Sequence, residues 1–403
     1  MDAVKRNGAI RRAFVSLFLS VIAVRVGIGI ISPILPLYAE QFTASGIQIG
    51  FLFSAFSLAR LVLAPAIGRL SDRGGRKRWI QAGLVVFAGL SVLYVLASRY
   101  WHITLLRILQ GAASILVTPL AQAYVGDITP KGHEGRYMNA FYAAMFLGMA
   151  LGPVLGGTFA QRWSYEAAFY AMGALALVSL VLVGRLVPAK LPKGSADEGP
   201  KEIVPLRTVF RNDAVRGIFF YFATRGFWRQ GFNTFYPLFA VAAAGLGESQ
   251  IGLVLSVYML GGGLLQIPFG WLADRCSRFP QIIIGSLAAP LMLLLIPSVR
   301  GLAGAVAVVF LMGAFSALSR ASVVAIRTEI GRTHGMGTLA GLHSSAFSTG
   351  QLLGPIAFGA IADGFGVQAV FWFGGAVGLI GSIFVFRSFR KSTQGAKQDP
   401  QVG

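Results

Sequence analysis

Six arginines fall inside long apolar stretches of this sequence, where a charged side chain needs a specific reason. Three polar residues, Arg225, Arg229 and Asn233, are spaced i, i+4 and i+8, so a helix would place them on one face, with Trp228 beside them. Arg25 lies near the middle of the first stretch, while the middle of every stretch lacks Asp and Glu. Because guanidinium groups bind carboxylates and phosphates, this pattern predicts a positively charged cavity, lined by these five residues, that could hold an anionic group.

An alternative role exists for each arginine. A guanidinium can donate to backbone carbonyls, or its long stem can carry the charge to the membrane interface. This alternative weighs more for Arg60 and Arg320, which lie nearer one end of their stretches. His343 also lies well inside a stretch. Since imidazole changes charge near neutral pH, His343 could carry a proton, and the alternative is a hydrogen-bonded packing role.

The composition indicates which elements must position these groups. Of 403 residues, 55% are hydrophobic and 12% are charged, about half the charged fraction of a soluble domain. Such a chain can only be stable with its surface in lipid. The single cysteine, Cys276, excludes an internal disulfide and a multi-cysteine metal site. Without paired carboxylates, a metal-ligand cluster or a Ser-His-Asp arrangement at membrane depth, we expect no enzyme activity, metal or cofactor.

Twelve stretches are long enough to cross a bilayer, which predicts an all-α polytopic membrane protein. The segments that would lie inside hold 26 of the 35 Lys and Arg residues, whereas the outer loops hold Arg99, Arg162 and Arg300. This asymmetry places both termini in the cytoplasm, and we expect the bacterial inner membrane. It also accounts for the net charge of +20 without a nucleic-acid partner. The predicted spans are 13–38, 47–67, 79–98, 103–126, 138–160, 166–186, 215–241, 250–270, 280–299, 302–325, 338–361 and 367–387.

An internal repeat organises these spans. A shift of 202 residues aligns three pieces of sequence, namely 48–50 with 250–252, 68–73 with 270–275, and 148–153 with 350–355. Three matches at one offset predict two pseudo-symmetric six-helix bundles, residues 1–187 and 214–403, joined by a cytoplasmic linker over 188–213. Two related bundles are a transporter design in which the substrate binds where the bundles meet.

The loop between the second and third spans has a glycine-rich, basic sequence, with glycines that permit a tight turn. It resembles the signature loop of the major facilitator superfamily, which in that family latches the outward-open state. The resemblance makes this a candidate gating loop, against the alternative of a generic basic turn. Its key positions are Gly68, Asp72, Arg73, Gly75 and Arg76.

The fourth span contains Arg107-x-x-Gln110-Gly111 and ends at Asp127. The first motif resembles one that the family's drug antiporters use in proton movement, and Asp127 resembles an Asp-x-x-Pro corner of the family. The resemblance implies that Arg107, Gln110 and Asp127, together with His343, are candidate coupling residues. A salt bridge at a helix end is the alternative for Asp127.

The fifth span carries Gly148-x-x-x-Gly152-Pro153-x-x-Gly156-Gly157, a groove of small residues with a proline bend. It resembles the antiporter motif of the drug-exporting branches, and a plain packing face is the alternative. The resemblance implies a twelve-span drug:proton antiporter that exports an organic substrate by alternating access.

Because no predicted span has Asp or Glu near its middle, a second hypothesis is favoured, an exporter or flippase for an anionic metabolite or lipid headgroup. We therefore expect a small-molecule or lipid-like substrate, protons and the bilayer as partners, and a monomeric protein.

Overall fold

The structure, a computed structural model, describes residues 2–129, 133–188, 212–334 and 336–398. Within these ranges the regular structure is helical. The predicted linker over 188–213 lies almost entirely outside the described residues, so its course and the domain boundaries that it sets stay predictions.

Among its described residues, the first repeat forms six helices. A glycine with a positive φ of 80°, Gly75, separates the second helix from the third, because this backbone conformation is open to glycine. The helices are α1 (Asp2–Glu40), α2 (Gly46–Gly74), α3 (Arg76–Val95), α4 (Tyr100–Ile128), α5 (Glu134–Arg162) and α6 (Tyr165–Leu186).

The described part of the second repeat forms the same number of spans from seven α-helices, because its second span is interrupted at Leu265. Pro268 explains the interruption, since it has no N–H to donate to the carbonyl of residue 264. A short 3₁₀ helix, Ile296–Ser298, directly follows the helix Arg278–Leu295. The helices are α7 (Asp213–Ala242), α8 (Glu248–Leu264), α9 (Gln266–Arg275), α10 (Arg278–Leu295), α11 (Gly301–His334), α12 (Met336–Phe365) and α13 (Ala369–Gln398).

Ten of these segments, with α8 and α9 together making one, are long and apolar enough to span a membrane. The remaining two spans are α7 and α12, each 30 residues long. They are more polar because α7 carries Arg225 and Arg229, and α12 is rich in Ser, Thr and Gly and also carries His343 and Gln351. The predicted twelve-span all-α fold is confirmed.

The chain divides into two compact units. The first contains Met1–Ala44, Phe51–Asp197 and Leu246–Ser256. In it α1 packs against α4, α5 and α6, and α3 packs against α4 and α6. Its interior is aromatic and aliphatic, with buried Tyr94, Phe141 and Phe169.

The second unit contains Ser45–Gly50, Glu198–Gly245 and Val257–Gly403. Here α7 packs against α11, α12 and α13, and α10 packs against α11 and α13, which repeats the pairings of the first unit. Each unit also includes the opening turns of a helix from the other repeat, Leu246–Ser256 in the first unit and Ser45–Gly50 in the second. The internal repeat therefore extends from sequence to helix packing.

Candidate functional site

The arginines of α7 lie in the second unit and have different neighbours. Arg225 is 8% exposed and donates from Nε to Ser316 Oγ at 2.9 Å. Arg229 is partly exposed, and its Nη2 lies 3.6 Å from the sulfur of Met259, while its guanidinium carbon lies 5.8 Å from the centre of the Phe347 ring. Arg225 and Arg229 thus lie on one face of α7 but have different neighbours.

Positive charge accumulates around this face of α7. Arg320, on α11, lies close enough to Arg225 and Arg229 for the three guanidinium charges to repel one another. The phenol rings of Tyr221 and Tyr258 lie beside them. Like charges at short range in an apolar interior are unfavourable, so the cluster raises the local potential and favours an anion.

The other two predicted residues of α7 are buried in this unit. Trp228 is 4% exposed and Asn233 is 6% exposed. In the described part of the chain, Asn233 Oδ1 is buried without a hydrogen-bond partner. Such a group in a native interior calls for a ligand, a water or a functional reason.

Arg25, the predicted partner of these residues, lies in the first unit on α1. A Cβ built on Gly148 of α5 would fall 2.5 Å from Arg25 Cβ, so the backbones of α1 and α5 approach closely at this point. Arg60, also in the first unit, lies 5.7 Å from the ring centre of Phe56.

The coupling candidates of α4 form a buried polar cluster in the first unit. Arg107 Nη1 donates to Gln110 Oε1 at 2.8 Å, and Tyr94 Oη donates to the same oxygen at 3.3 Å. The guanidinium of Arg107 also lies 4.8 Å from the ring centres of both Phe53 and Phe56. Hydrogen bonding and two aromatic faces together stabilise a cation that is 5% exposed.

The gating-loop candidate Arg76 and the coupling candidate Asp127 form an ion pair through Arg76 Nη1 and Asp127 Oδ2. The start of α3 is also tied to α6, because Lys77 Nζ donates to the carbonyl of Gly184 at 2.8 Å. The side chains of residues 68–74 lie outside the described part of the chain, which includes the predicted loop residues Gly68, Asp72 and Arg73.

The antiporter motif of α5 contacts α1 through backbone atoms. A Cβ on Gly152 would lie 2.5 Å from Gly29 Cα, and one on Gly156 would lie 2.2 Å from the carbonyl oxygen of Ile30. Gly157 faces the start of α8 instead, where a Cβ would lie 2.1 Å from the carbonyl oxygen of Glu248. These positions exclude any side chain, and Pro153 lies beside Gly29 in the same interface.

His343 pairs with an arginine of α11. The distance between Arg327 Nη1 and His343 Nδ1 is 2.9 Å, and the ring centre of Phe222 lies 3.9 Å from that of the imidazole. A guanidinium can only donate, so Nδ1 must accept and the imidazole is neutral in this arrangement, with its hydrogen on Nε2.

Two polar groups to which the sequence assigned no role lie at helix ends. Asp363 Oδ1 and Oδ2 accept from the backbone N–H groups of Gly46 and Ile47, at 2.5 and 2.9 Å. Gln161 Oε1 accepts from the N–H of Ser249 at 3.0 Å. The available signal was the repeat itself, because residues 161 and 363 are 202 positions apart.

Among the described residues no group of three or more His, Cys, Asp and Glu could hold a metal ion.

Comparison with known proteins places this arrangement in a family. The model of the Major Facilitator Superfamily matches residues 17–247 and 218–403. An uncharacterised MFS-type transporter of Methanocaldococcus jannaschii is 25% identical over 382 residues, covering 94% of this chain and 98% of that protein. The quinolone resistance protein NorA of Staphylococcus aureus is 24% identical over 376 residues, covering 92% and 94%. The crystal structure of a bacterial homologue of the human lysosomal transporter Spinster has a TM-score of 0.82 at 15% identity, covering 94% and 97%.

Proposed function

Because the chain belongs to the major facilitator superfamily and is a secondary transporter rather than an enzyme, we propose that it exports an organic substrate by proton antiport. Export would proceed by alternating access, from a monomer in the bacterial inner membrane with both termini in the cytoplasm. The substrate would be a drug-like organic molecule, since the NorA relative is named as a quinolone resistance protein.

The observation that carries this proposal is the contact of α5 with α1 through Gly148, Gly152 and Gly156. Backbone contact without side chains gives a smooth interface on which two helices can pivot. The Arg107–Gln110 cluster supports the same proposal, because a buried cation held by neutral groups responds strongly to a nearby change of charge.

The proposal is tested with inside-out proteoliposomes that contain the purified chain and an acidic lumen. A fluoroquinolone should accumulate against its gradient and leak out when a protonophore collapses the proton gradient. Gly89→Ala is the control for glycine substitutions in α5. A Cβ on Gly89 meets no atom within 4 Å, so this variant should remain active. Uphill accumulation that survives the protonophore contradicts proton coupling, and accumulation only with an acidic exterior contradicts antiport.

A second candidate function, transport of an organic anion or a lipid headgroup, is favoured by the arginines of α7. Arg229 is partly exposed and its charge lies beside Arg225 and Arg320, so an anionic substrate group would relieve their repulsion. Arg225→Gln or Arg229→Gln should abolish transport of an anionic fluorophore in the same vesicles. Survival of anion transport in both variants would remove this candidate and leave the drug exporter.

A further inference from the structure

A small cavity lies inside the second unit, among α7, α10, α11 and α13. Its free volume is about 20 Å³, which accommodates one particle of the size of a water molecule and excludes an organic substrate. Its walls are mainly apolar by area, and hydroxyl or nitrogen groups reach it from Tyr221, Arg225, Trp228, Ser286, Ser316 and Ser382.

Arg225 makes this cavity cationic. Its guanidinium has five N–H groups, and among the described residues one hydrogen bond is formed, from Nε to Ser316 Oγ. The residue is 8% exposed and lines the cavity. Burying a guanidinium costs free energy unless anions or hydrogen-bond acceptors pair with its N–H groups. The single hydrogen bond from Nε does not offset this cost.

The protein offers no carboxylate to neutralise this charge within the described part of the unit. The acidic residues there lie at helix ends, and three of them have their own partners. Asp213 pairs with Arg216, Glu329 pairs with Arg278, and Asp363 accepts from the first turn of α2. The charges that interact with Arg225 are instead those of the cations Arg229 and Arg320.

The remaining donors fit an anion. Ser316 Oγ accepts from Arg225, so its own hydrogen is left to donate into the cavity. The hydroxyl of Ser382 is already used, since it donates to the carbonyls of Ser286 and Gly378 at 2.6 and 2.8 Å. Trp228, which carries an indole N–H, also lines the cavity. Guanidinium, hydroxyl and indole N–H groups all donate and none carries negative charge.

We propose that this cavity binds a single halide ion, chloride in the cell, held by Arg225 and Ser316. A water molecule would fit but would leave the charge of Arg225 uncompensated, and a monatomic halide is the anion that needs less space than sulfate or phosphate. The ion neutralises Arg225 within the unit and so reduces its repulsion with Arg229 and Arg320. The proposal does not depend on the direction or coupling of transport.

The test uses the purified full-length protein in detergent, without substrate, in sodium gluconate buffer. Replacing gluconate with chloride from 1 to 100 mM should raise the unfolding midpoint by about 3 °C, because a ligand that binds only the folded state stabilises it. Bromide should act like chloride, and sulfate should have no effect.

Three variants sharpen the test. Arg225→Gln should lose the chloride shift, and Ser316→Ala should weaken the apparent affinity about tenfold, the effect of one charge-assisted hydrogen bond. Arg275→Gln is the matched control, because Arg275 stacks on exposed Trp271 away from the cavity and should leave the shift unchanged. If Arg225→Gln fails to fold, Ser316→Ala still decides.

An equal shift with sulfate, or an unchanged shift in Ser316→Ala and Arg225→Gln, would overturn the halide site. A crystal grown with bromide offers an independent measurement, since its anomalous peak should lie within hydrogen-bonding distance of Arg225. A peak only at surface positions also overturns the proposal. None of these outcomes bears on drug export, which is measured separately in vesicles.

Discussion

Gln161 and Asp363 occupy equivalent positions of the two repeats, and each accepts hydrogen bonds from the first turn of a helix in its own compact unit. Asp363 binds the N–H groups of Gly46 and Ile47, and Gln161 binds that of Ser249. Gly46 and Glu248 are equivalent in the same way. Gly359 approaches the carbonyl of Gly46, and Gly157 approaches the carbonyl of Glu248. The pair differs in charge, since one repeat uses a carboxylate at the positive end of a helix and the other a neutral amide.

This difference predicts unequal effects of removing the two groups. Asp363→Ala should destabilise the protein by about 1–2 kcal/mol, because it removes an ionised acceptor shared by two N–H groups at a helix N-terminus. Gln161→Ala should cost about 0.5–1 kcal/mol, the usual contribution of a neutral hydrogen bond. Unfolding in mixed detergent measures both.

The matched control is Asp274→Ala, an exposed helix-end carboxylate without a hydrogen bond or ion pair in the described part of the chain. It should change stability by less than about 0.5 kcal/mol. Equal losses for Asp274→Ala and Asp363→Ala would show that the contact with α2 contributes nothing.

The glycines of α5 predict a steep size dependence. Gly152→Ala places a Cβ 2.5 Å from Gly29 Cα, so α1 and α5 must separate, and the expected cost is about 1–3 kcal/mol, the range for overpacking. Gly89→Ala, in an open position of α3, should instead stabilise by about 0.5–1 kcal/mol through helix propensity. Both are measured as unfolding midpoints, and a Gly152→Ala chain as stable as Gly89→Ala would contradict the close packing.

Short sequence spacings predict which residues share a helix face, but they do not predict contacts between residues that are distant in sequence. The small-residue groove of α5 and the Arg107–Gln110 pair follow from i, i+4 and i, i+3 spacing, which places residues on one helix face. The pairing of Arg76 with Asp127 joins two helix ends that are 51 residues apart in sequence, and that of Asp363 with Gly46 joins positions 317 residues apart. Helix periodicity says nothing about such distances, so both needed the packed bundle. The break at Leu265 was readable from Pro268, yet the apolar run of 250–270 concealed it.

The Arg107–Gln110 hydrogen bond predicts a coupling energy in a double-mutant cycle. Gln110→Leu alone should destabilise by about 2–3 kcal/mol, because it removes the acceptor of a buried, charged N–H group. Arg107→Met removes the cation, and adding Gln110→Leu to it should then cost at least about 1 kcal/mol less than adding it to the parent chain. Additive losses in reversible unfolding would mean that the two side chains do not interact.

The ion pair of Arg76 with Asp127 predicts rescue by charge exchange. Asp127→Arg places two cations together and should destabilise by about 1–2 kcal/mol, a moderate cost because the side chains are 21% and 28% exposed and water screens them. Combining it with Arg76→Asp should recover at least half of this loss. Fluoroquinolone efflux, measured in parallel, shows whether the gating-loop contact also affects transport. If the exchanged pair is no better than Asp127→Arg alone, the contact is not electrostatic.

His343 offers the sharpest test of the proton path. In its contact with Arg327 the imidazole only needs to accept through Nδ1, and the Oδ1 of asparagine can take that place. His343→Asn should therefore keep uphill, proton-driven efflux, whereas His343→Leu, which has no acceptor, should lose stability by about 1–3 kcal/mol. Downhill exchange of labelled substrate serves as the control for folding and binding. If His343→Asn retains exchange but loses uphill efflux, then His343 carries the coupling proton, and Arg327 is the partner that it must leave to become charged.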